Sequence, residues 1–387
     1  MELIKTDLVD VNEGMKRLTA YVKYNDGIVD EYWYEYPSHF EISNSGNPWL
    51  AALLPMAATI GEDLIIPLPL DPRLVDGAKD ILRFWKAHEV GTSIVSIIPT
   101  GEIAVLEKHP EGSASFFSSG LDAFFTAYNK PRIQYQILVH GFDLSINKEK
   151  EFKAHFERIS KISKKMGKEL IPVKTNIRQT RWKQTRWQAV SHGASLASIG
   201  LLFENYFHEI FIPSSTKSFL ELSCWGSHPL TDPLFSTSRA SILTDGDGFT
   251  RLEKIQAIKS HQLALDHLHV CIRGRDGSGQ DEINCSHCEK CYRTMIALEL
   301  SGVLEKCKLF DLNKYNHEEI HKIYISKGHT RNYEFFIEIA QEQNRPDLVK
   351  HFRGAIRRSK IIWILELLEN IPFLWRIPHK LKEDSIY

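Results

Sequence analysis

From Ser113 onward, short apolar runs typical of strands alternate with amphipathic or small-residue segments of helical period. Parallel strands must be joined by a crossover, usually a helix, so this alternation predicts an α/β domain with a doubly wound parallel sheet. The first predicted strand begins at Ser113, and four more are predicted at Ile133–Val139, Glu169–Lys174, Glu209–Pro213 and within Leu265–Cys271. Ligands of such sheets bind beyond the carboxyl ends of the strands, where the strand order reverses.

The segment that follows the first predicted strand has the composition of an anion-binding turn. Ser118, Ser119 and Gly120 separate the apolar run from the next helical pattern. Backbone N–H groups of such a turn, together with the positive end of the helix dipole, attract anions. Asp122, in the first helical turn, would repel a bare phosphate, so we expect a metal ion, a water or an amine beside it. An ordinary strand-to-helix turn would show the same pattern.

A chain of 387 residues exceeds a typical single core, so more than one domain is expected. Residues 1–110 are predicted to form an N-terminal α+β accessory domain. It would contain a hairpin at Asn25-Asp26-Gly27 and a helix Trp49–Ile60 capped by Asn47. Residues 111–304 would form the α/β domain, and residues 305–387 a helical C-terminal extension. The accessory domain or the extension could contact a protein partner.

The composition excludes several classes of protein. The formal net charge is −1, so nucleic-acid binding is not expected from bulk charge. No apolar run approaches the roughly 20 residues that span a bilayer, and no membrane association is expected. Met1–Lys5 does not resemble the start of a signal peptide, and we expect a cytoplasmic protein.

Three of the six cysteines lie within seven positions, as Cys285, Cys288 and Cys291. Cys271, at the end of the predicted fifth strand, supplies a fourth thiolate. Four thiolates complete a tetrahedral zinc site, which predicts a structural metal rather than a catalytic one. An iron–sulfur cluster, unligated cysteines and replacement of one thiolate by His287 are the alternatives. A glycine-rich segment, Arg273–Gly279, separates the ligands, and Cys224 and Cys307 are expected to be unliganded.

Basic residues in two segments are candidates for contact with substrate or phosphate. Arginines alternate with tryptophans around Arg178, and His192 follows at a predicted helix start. Such a segment can stack on bases or pack within the fold. Arg251 and Lys254 share one face of a helix that a capping box at Thr250 and Glu253 would open, and they could hold pyrophosphate or simply be solvated.

The run Phe117-Ser118-Ser119-Gly120-Leu121-Asp122-Ala123 resembles the pyrophosphate loop S-G-G-x-D-S of the ATP-pyrophosphatase superfamily, the PP-loop or adenine nucleotide alpha hydrolase-like proteins. Ser119 stands where glycine is usual, and Ala123 where serine or threonine is usual. The four cysteines downstream are similar to the zinc-binding tail of 7-cyano-7-deazaguanine synthase. The resemblance covers about residues 113–304 and implies a divergent, extended relative, such as those in biosynthetic or antiviral-defence gene clusters.

The resemblance implies a PP-loop type sheet and an ATP-dependent ligase. ATP and Mg²⁺ would be used to adenylate a small-molecule carboxylate like 7-carboxy-7-deazaguanine, and ammonia or an amine would then give an amide or nitrile. Phe117–Asp122 would bind ATP, with Ser118 and Asp122 in catalysis and the backbone at His140 and Gly141 framing adenine. The alternatives are a nucleotide-binding interaction module with lost catalysis, and a tRNA sulfur transferase with Cys224 as carrier.

Overall fold

Ten strands form a single sheet in the computed structural model of the chain, which describes residues 1–12, 14–102, 110–215, 224–271, 283–367 and 386. The central strands are apolar and buried, as the predicted parallel sheet requires. In chain order the strands are β1 (Glu2–Asn12), β2 (Met15–Lys23), β3 (Val29–Pro37), β4 (Leu64–Ile66), β5 (Ile97–Pro99), β6 (Gly112–Phe116), β7 (Tyr135–His140), β8 (Glu169–Thr175), β9 (Phe207–Pro213) and β10 (Ser241–Asp245).

The order of the strands across the sheet is β10-β9-β6-β7-β8-β3-β2-β1-β4-β5. Of the nine pairings between these strands, six are parallel, so the sheet is mostly parallel. From β10 to β8 every pairing is parallel. The chain places β6, β7 and β8 outward in one direction and then returns to add β9 on the other side of β6. The strand order therefore reverses between β6 and β9.

The N-terminal strands continue this same sheet. The predicted hairpin at Asn25–Gly27 is present between β2 and β3, and the N–H of Tyr24 donates to the carbonyl of Ile28. Strand β3 then pairs antiparallel with β8, at Tyr34 opposite Thr175. Residues 1–110 were predicted as a separate accessory domain, whereas their strands share hydrogen bonds with the parallel strands.

Ten α-helices lie within the described residues. They are α1 (Asn47–Ile60), α2 (Pro72–Ala87), α3 (Leu121–Asn129), α4 (Glu149–Lys165), α5 (His192–Leu202), α6 (Arg251–Ile258), α7 (Gln262–His267), α8 (Glu289–Leu300), α9 (Thr330–Glu342) and α10 (Pro346–Leu367). Helix α1 is buried from Asn47 to Ala58 and packs on α5. Gly200 lets α5 pack closely on the sheet, since a Cβ there would lie 2.8 Å from Cγ2 of Ile210 in β9.

A buried carboxylate ties three segments of the first half of the chain together. Glu204 has no exposed surface, and its oxygens accept hydrogen bonds from Ser43, Ser45, Asn47 and Thr237. A buried carboxylate is stable only when its oxygens are satisfied in this way. Asn47 was predicted to cap α1, but the cap is Gly46, and the Asn47 side chain serves this network instead.

The chain divides into two compact units, which are described separately. The first comprises Met1–Ser118 and Asp122–Gly248, and the second comprises Ser119–Leu121 and Phe249–Tyr387. The first contains the sheet, and the second contains α6 to α10. The boundaries predicted near residues 110 and 304 therefore do not coincide with the boundaries of the compact units. The end of the predicted C-terminal extension, residues 368–385 and 387, lies outside the described residues.

Three predicted elements differ from those observed. The fifth parallel strand is β10 and not a segment of Leu265–Cys271, which contains the end of α7 followed by irregular chain. The predicted helix start at His192 is directly preceded by a π-helical turn, Trp187–Ser191, and the α-helix ends at Leu202. Within the extension that was predicted to be helical, residues His317–Lys322 form a 3-10 helix. Apolar spacing alone does not distinguish these alternatives in short segments.

Candidate functional site

The loop predicted to bind anions joins β6 to α3 at the point where the strand order reverses. Ser119 is buried and has a backbone φ of 57°, the left-handed conformation that glycine adopts most easily. Its carbonyl accepts a hydrogen bond of 3.0 Å from the backbone N–H of His269. Ser118 and Gly120 are half-buried. The serine that stands where the similar loop has glycine therefore occupies a glycine-like conformation.

Helix α3 carries the other residues of the predicted loop. Phe117 extends β6, since its N–H donates to the carbonyl of Ile137, and its ring meets Phe124 of α3 edge-on at 5.2 Å. This contact fixes the angle between the strand and the helix. Asp122 is half-buried in the first turn of α3, where a negative charge interacts favourably with the helix dipole. Ala123 is buried, so its side chain contributes apolar packing.

At the carboxyl end of β7, the side chain of His140 is fully buried. Its Nε2 lies 3.0 Å from the carbonyl of Ser145, and its ring stacks on Phe152 at 4.1 Å. Burial lowers the pKa of His140, so the ring is neutral near pH 7. Gly141 has a φ of 112°, and a Cβ there would lie 2.0 Å from the carbonyl oxygen of Thr175. Any contribution of these two residues to a ligand must therefore come from their backbone.

The basic and aromatic segment between β8 and α5 packs within the fold. The guanidinium of Arg178 lies 4.3 Å from the ring centre of Trp187 and donates to the carbonyl of Phe142 at 2.6 Å. The imidazole of His192 packs on the same tryptophan, 4.9 Å between ring centres. Burial lowers the pKa of His192. Arg178 and His192 are thus brought together around one aromatic ring.

Trp182 and Arg181 of the same segment also contact the protein itself. The indole of Trp182 is buried and donates to the carbonyl of Ala52 at 2.8 Å. Arg181 pairs with Asp26 at 2.7 Å and stacks on Tyr24. Of the two possibilities that the sequence left open, the structure has these side chains stacking on the protein itself.

Arg251 and Lys254 lie on α6, which begins with the predicted capping box of Thr250 and Glu253. Arg251 donates to the hydroxyl of Thr294 at 3.1 Å, whereas Lys254 is buried with 2% of its surface exposed. The two side chains therefore occupy different environments although they lie three residues apart.

The four predicted metal ligands do come together. The sulfur atoms of Cys271, Cys285, Cys288 and Cys291 all lie within 4.8 Å of one another, and all four residues are buried. The closest pairs are Cys285 and Cys291 at 3.8 Å and Cys271 and Cys288 at 3.9 Å. A tetrahedral zinc ion with bonds of about 2.3 Å requires sulfur atoms about 3.8 Å apart. This group could hold a metal such as zinc.

The alternative ligand, His287, points elsewhere. It is exposed, and its Nδ1 lies 2.7 Å from the carbonyl of Cys285. Cys271 was predicted to end a strand, but it follows α7 in an irregular segment. The glycine-rich segment Arg273–Gly279 lies outside the described residues.

Asn284 holds Cys271 in place beside the other three cysteines, a role that was not predicted from the sequence. Its Oδ1 accepts from the backbone N–H of Val270 and of Cys271, at 2.9 and 3.2 Å. Its Nδ2 donates to the carbonyls of Leu268 and Leu309 at 2.8 and 3.1 Å. Both acceptor positions of Oδ1 and both N–H donors of Nδ2 are used by the backbone. The Asn284 side chain therefore fixes Cys271 against the Cys285–Cys291 turn. Its position directly before the first cysteine of the cluster was the available signal.

The electrostatics of the cluster favour a bound cation. The proximity of the other three thiols lowers the pKa of Cys271, and the proximity of Cys271 raises the pKa of Cys288 and of Cys291. A divalent ion would remove this competition, since it stabilises all four thiolates together.

The remaining two cysteines are inert thiols. Cys224 donates to the carbonyl of Ala189 at 3.1 Å, and burial raises its pKa to about 11. Burial likewise raises the pKa of Cys307 to about 12. Both are therefore protonated at neutral pH and are poor nucleophiles.

Comparison of the chain with protein-family models, with curated proteins and with solved structures finds no match. Within the described residues, no helix has the length and hydropathy needed to cross a membrane.

Proposed function

We propose that the protein is an ATP-dependent ligase that adenylates a small carboxylate, similar to 7-carboxy-7-deazaguanine, and passes it to ammonia or an amine. The observation that supports this most is the loop Ser118–Asp122. It follows β6 at the reversal of strand order, where nucleotides bind in doubly wound sheets. It also has the left-handed residue, Ser119, where the similar pyrophosphate loop has glycine.

The proposed reaction has two steps. A carboxylate oxygen of the substrate attacks the α-phosphorus of ATP, the bond from that phosphorus to the bridging oxygen breaks, and pyrophosphate leaves. The nitrogen nucleophile then attacks the carbonyl carbon of the acyl adenylate, AMP leaves with the bonding electron pair, and the nitrogen loses a proton. The product is an amide, and a second activation of the amide oxygen by the same route would give a nitrile.

The loop residues would stabilise the phosphates through positioning and charge. Backbone N–H groups and the hydroxyls of Ser118 and Ser119 would donate to phosphate oxygens, aided by the dipole of α3. Asp122 would orient the incoming nitrogen or hold Mg²⁺, which neutralises phosphate charge when bound. The backbone at His140 and Gly141 would frame adenine. Contact of Arg178, His192, Arg251 or Lys254 with phosphate or substrate stays a prediction.

We propose zinc as the resident metal, held by Cys271, Cys285, Cys288 and Cys291 in a structural role. Four protein ligands leave no open position for a substrate. An iron–sulfur cluster would instead give visible absorption and bound iron, which metal analysis of the purified protein distinguishes from zinc.

Two alternatives have specific observations for and against them. Ala123 is buried in α3 and lacks the hydroxyl of the similar loop, which favours a nucleotide-binding module without turnover. A tRNA sulfur transferase with Cys224 as carrier is disfavoured, because the pKa of Cys224 is raised to about 11 and the arginine–tryptophan segment stacks on the protein.

The test measures pyrophosphate release from ATP with 7-carboxy-7-deazaguanine and ammonium, with products identified by mass spectrometry. Asp122→Asn keeps the size of the side chain and removes its charge, and the rate should fall about 100-fold. Asp80→Asn is the matched control, because Asp80 is exposed on α2 and pairs only with Arg83 in the described chain. Its rate should equal that of the unmodified protein.

Equal rates in the two variants would remove Asp122 from the mechanism. ATP binding without pyrophosphate release for any carboxylate would establish the module instead. Sulfur transfer to tRNA that is lost in Cys224→Ser would establish the third function.

A further inference from the structure

An open cavity of about 1070 Å³ lies in the second unit, among the 3-10 helix His317–Lys322, the end of α9 and the first half of α10. Its lining is strongly basic. Of the lining residues that the structure describes, one has a carboxylate, Glu318, and six have side chains that can carry positive charge: His321, Arg345, Lys350, His351, Arg353 and Arg357. The formal net charge of the whole chain is −1, so this excess of positive charge is local.

Three of these cations are presented by one face of α10. Lys350, Arg353 and Arg357 follow one another at intervals of three and four residues, which places them in a row along the helix. All three are exposed, and within the described residues no carboxylate forms an ion pair with any of them. Like charges at this spacing repel one another, so the row lowers helix stability unless an anion neutralises it.

The walls of the cavity are fixed by close packing and by a paired arginine. The 3-10 helix packs closely against α10 at Gly354, where a Cβ would lie 3.4 Å from Cβ of His321. Arg345 is held at the rim by Glu299 at 3.0 Å and by Asp347 at 2.8 Å. The cavity is thus a built feature of the second unit.

Positive charges repel one another inside the cavity as well. Burial lowers the pKa of His351, and the neighbouring His321, His317 and Lys350 lower it further. The rings of His321 and His351 lie 6.5 Å apart. An anion placed between these groups would reduce this repulsion.

We propose that this cavity binds a small anion with two or more phosphate groups, held by Lys350, Arg353 and Arg357. Guanidinium groups match phosphate oxygens in geometry and charge. The cavity is concave and close in size to small-molecule pockets, which favours a compact ligand over an extended nucleic acid. Among the described residues of its lining there is no Phe, Tyr or Trp on which a base could stack, which favours recognition through the phosphates.

The test measures binding of inorganic tripolyphosphate to the full chain by calorimetry at physiological ionic strength. The double variant Arg353→Gln/Arg357→Gln should raise the dissociation constant by about tenfold or more for each guanidinium removed. Lys360→Gln is the matched control, because Lys360 is exposed on the same helix but does not line the cavity. It should leave the dissociation constant unchanged. Circular dichroism of each variant checks that the fold is kept.

Equal affinities of the double variant and the control would overturn the assignment. So would an oligonucleotide or polyglutamate that binds about tenfold more tightly than tripolyphosphate under the same conditions, since either would identify an extended partner. ATP competing with tripolyphosphate would support a nucleotide as the source of the phosphates, and failure to compete would support a phosphate compound without a base. The double variant leaves the loop Ser118–Asp122 unchanged, and none of the loop residues lines the cavity. The part of the binding that is lost in the double variant therefore belongs to the cavity, whether or not the proposed ligase activity exists.

Discussion

The backbone conformation of Ser119 is set by the loop in which it lies. An L-residue other than glycine with a φ of 57° is strained by contact between its Cβ and the backbone, at about 1–2 kcal/mol. The residue is also buried, and its carbonyl is bonded to His269. The conformation is therefore imposed by the surroundings and not by the preference of serine.

Replacing Ser119 by glycine and, separately, by alanine isolates this strain, because both changes remove the hydroxyl. We expect Ser119→Gly to be more stable than Ser119→Ala by about 1 kcal/mol. Urea denaturation of the two variants measures the difference. Equal stability, or a more stable alanine variant, would show that the left-handed conformation is absent in solution.

Asp232 is a second residue whose environment sets its chemistry. It is fully buried, and burial raises its pKa to about 7, with Asp247 adding repulsion. Ser227 donates to its Oδ2 at 2.6 Å, and the N–H of His228 donates to its Oδ1 at 3.1 Å. The folded protein therefore keeps a proton on this group at pH values where the unfolded chain releases it.

The sign of the resulting pH dependence follows from this proton. Between pH 4 and 7 the folded state binds more protons at Asp232 than the unfolded state, so its contribution to stability falls as the pH rises. The total change is about 4 kcal/mol. Asp232→Asn can keep both hydrogen bonds and should remove this slope from urea denaturation measured across the range. An exposed control, Asp80→Asn, should keep it, and an identical slope in both variants would contradict the raised pKa.

At the scale of single elements, a local sequence signal determines where a helix begins when the capping side chain bonds to the helix N-terminus and not to another part of the chain. Helix α6 begins with a reciprocal cap, in which Thr250 accepts from the N–H of Glu253 at 3.2 Å and Glu253 accepts from the N–H of Thr250 at 2.7 Å. The sequence predicted this cap from spacing alone. The cap of α1 was predicted wrongly, because Asn47 is recruited by Glu204, which lies 157 positions later in the chain.

The cap of α6 should be measurable in isolation. Thr250→Ala removes the hydroxyl acceptor and should lower the free energy of unfolding by about 1 kcal/mol, whereas Thr250→Ser should restore most of it. Chemical denaturation followed by circular dichroism provides the comparison. A serine variant as unstable as the alanine variant would indicate that the methyl group of Thr250 matters more than its hydroxyl.

At the scale of the whole molecule, the proposed metal centre should stabilise only part of the chain. Cys271 and the start of α8 are joined through the four sulfurs and through Asn284, all within the second unit. Without an ion, four buried thiols compete for hydrogen bonds and the turn Cys285–Cys291 loses its anchor.

Removal of the metal with a chelator should therefore increase amide hydrogen exchange in residues 283–304 while leaving exchange in β6–β9 unchanged. Mass spectrometry of peptic fragments resolves the two regions. Cys288→Ser should reproduce the effect of the chelator, whereas His287→Ala should not, because His287 is exposed outside the group of sulfurs. Loss of protection in His287→Ala alone would identify the imidazole as a ligand.

The sequence by itself determined the features that depend on nearby residues. Alternating apolar runs gave the parallel strands, Asn25–Gly27 gave the hairpin, and cysteine spacing indicated the metal group, because periodicity, turn chemistry and ligand spacing are local properties. Only the tertiary structure decided that β3 joins the N-terminal strands to β8, that β10 is the fifth parallel strand, and that Arg178 stacks on Trp187. Only the tertiary structure shows that Asn284 bonds to Cys271, and that basic side chains line the cavity beside α10. Those outcomes depend on burial and on contacts between segments far apart in the chain. The free energies of such contacts cannot be read from a local sequence pattern.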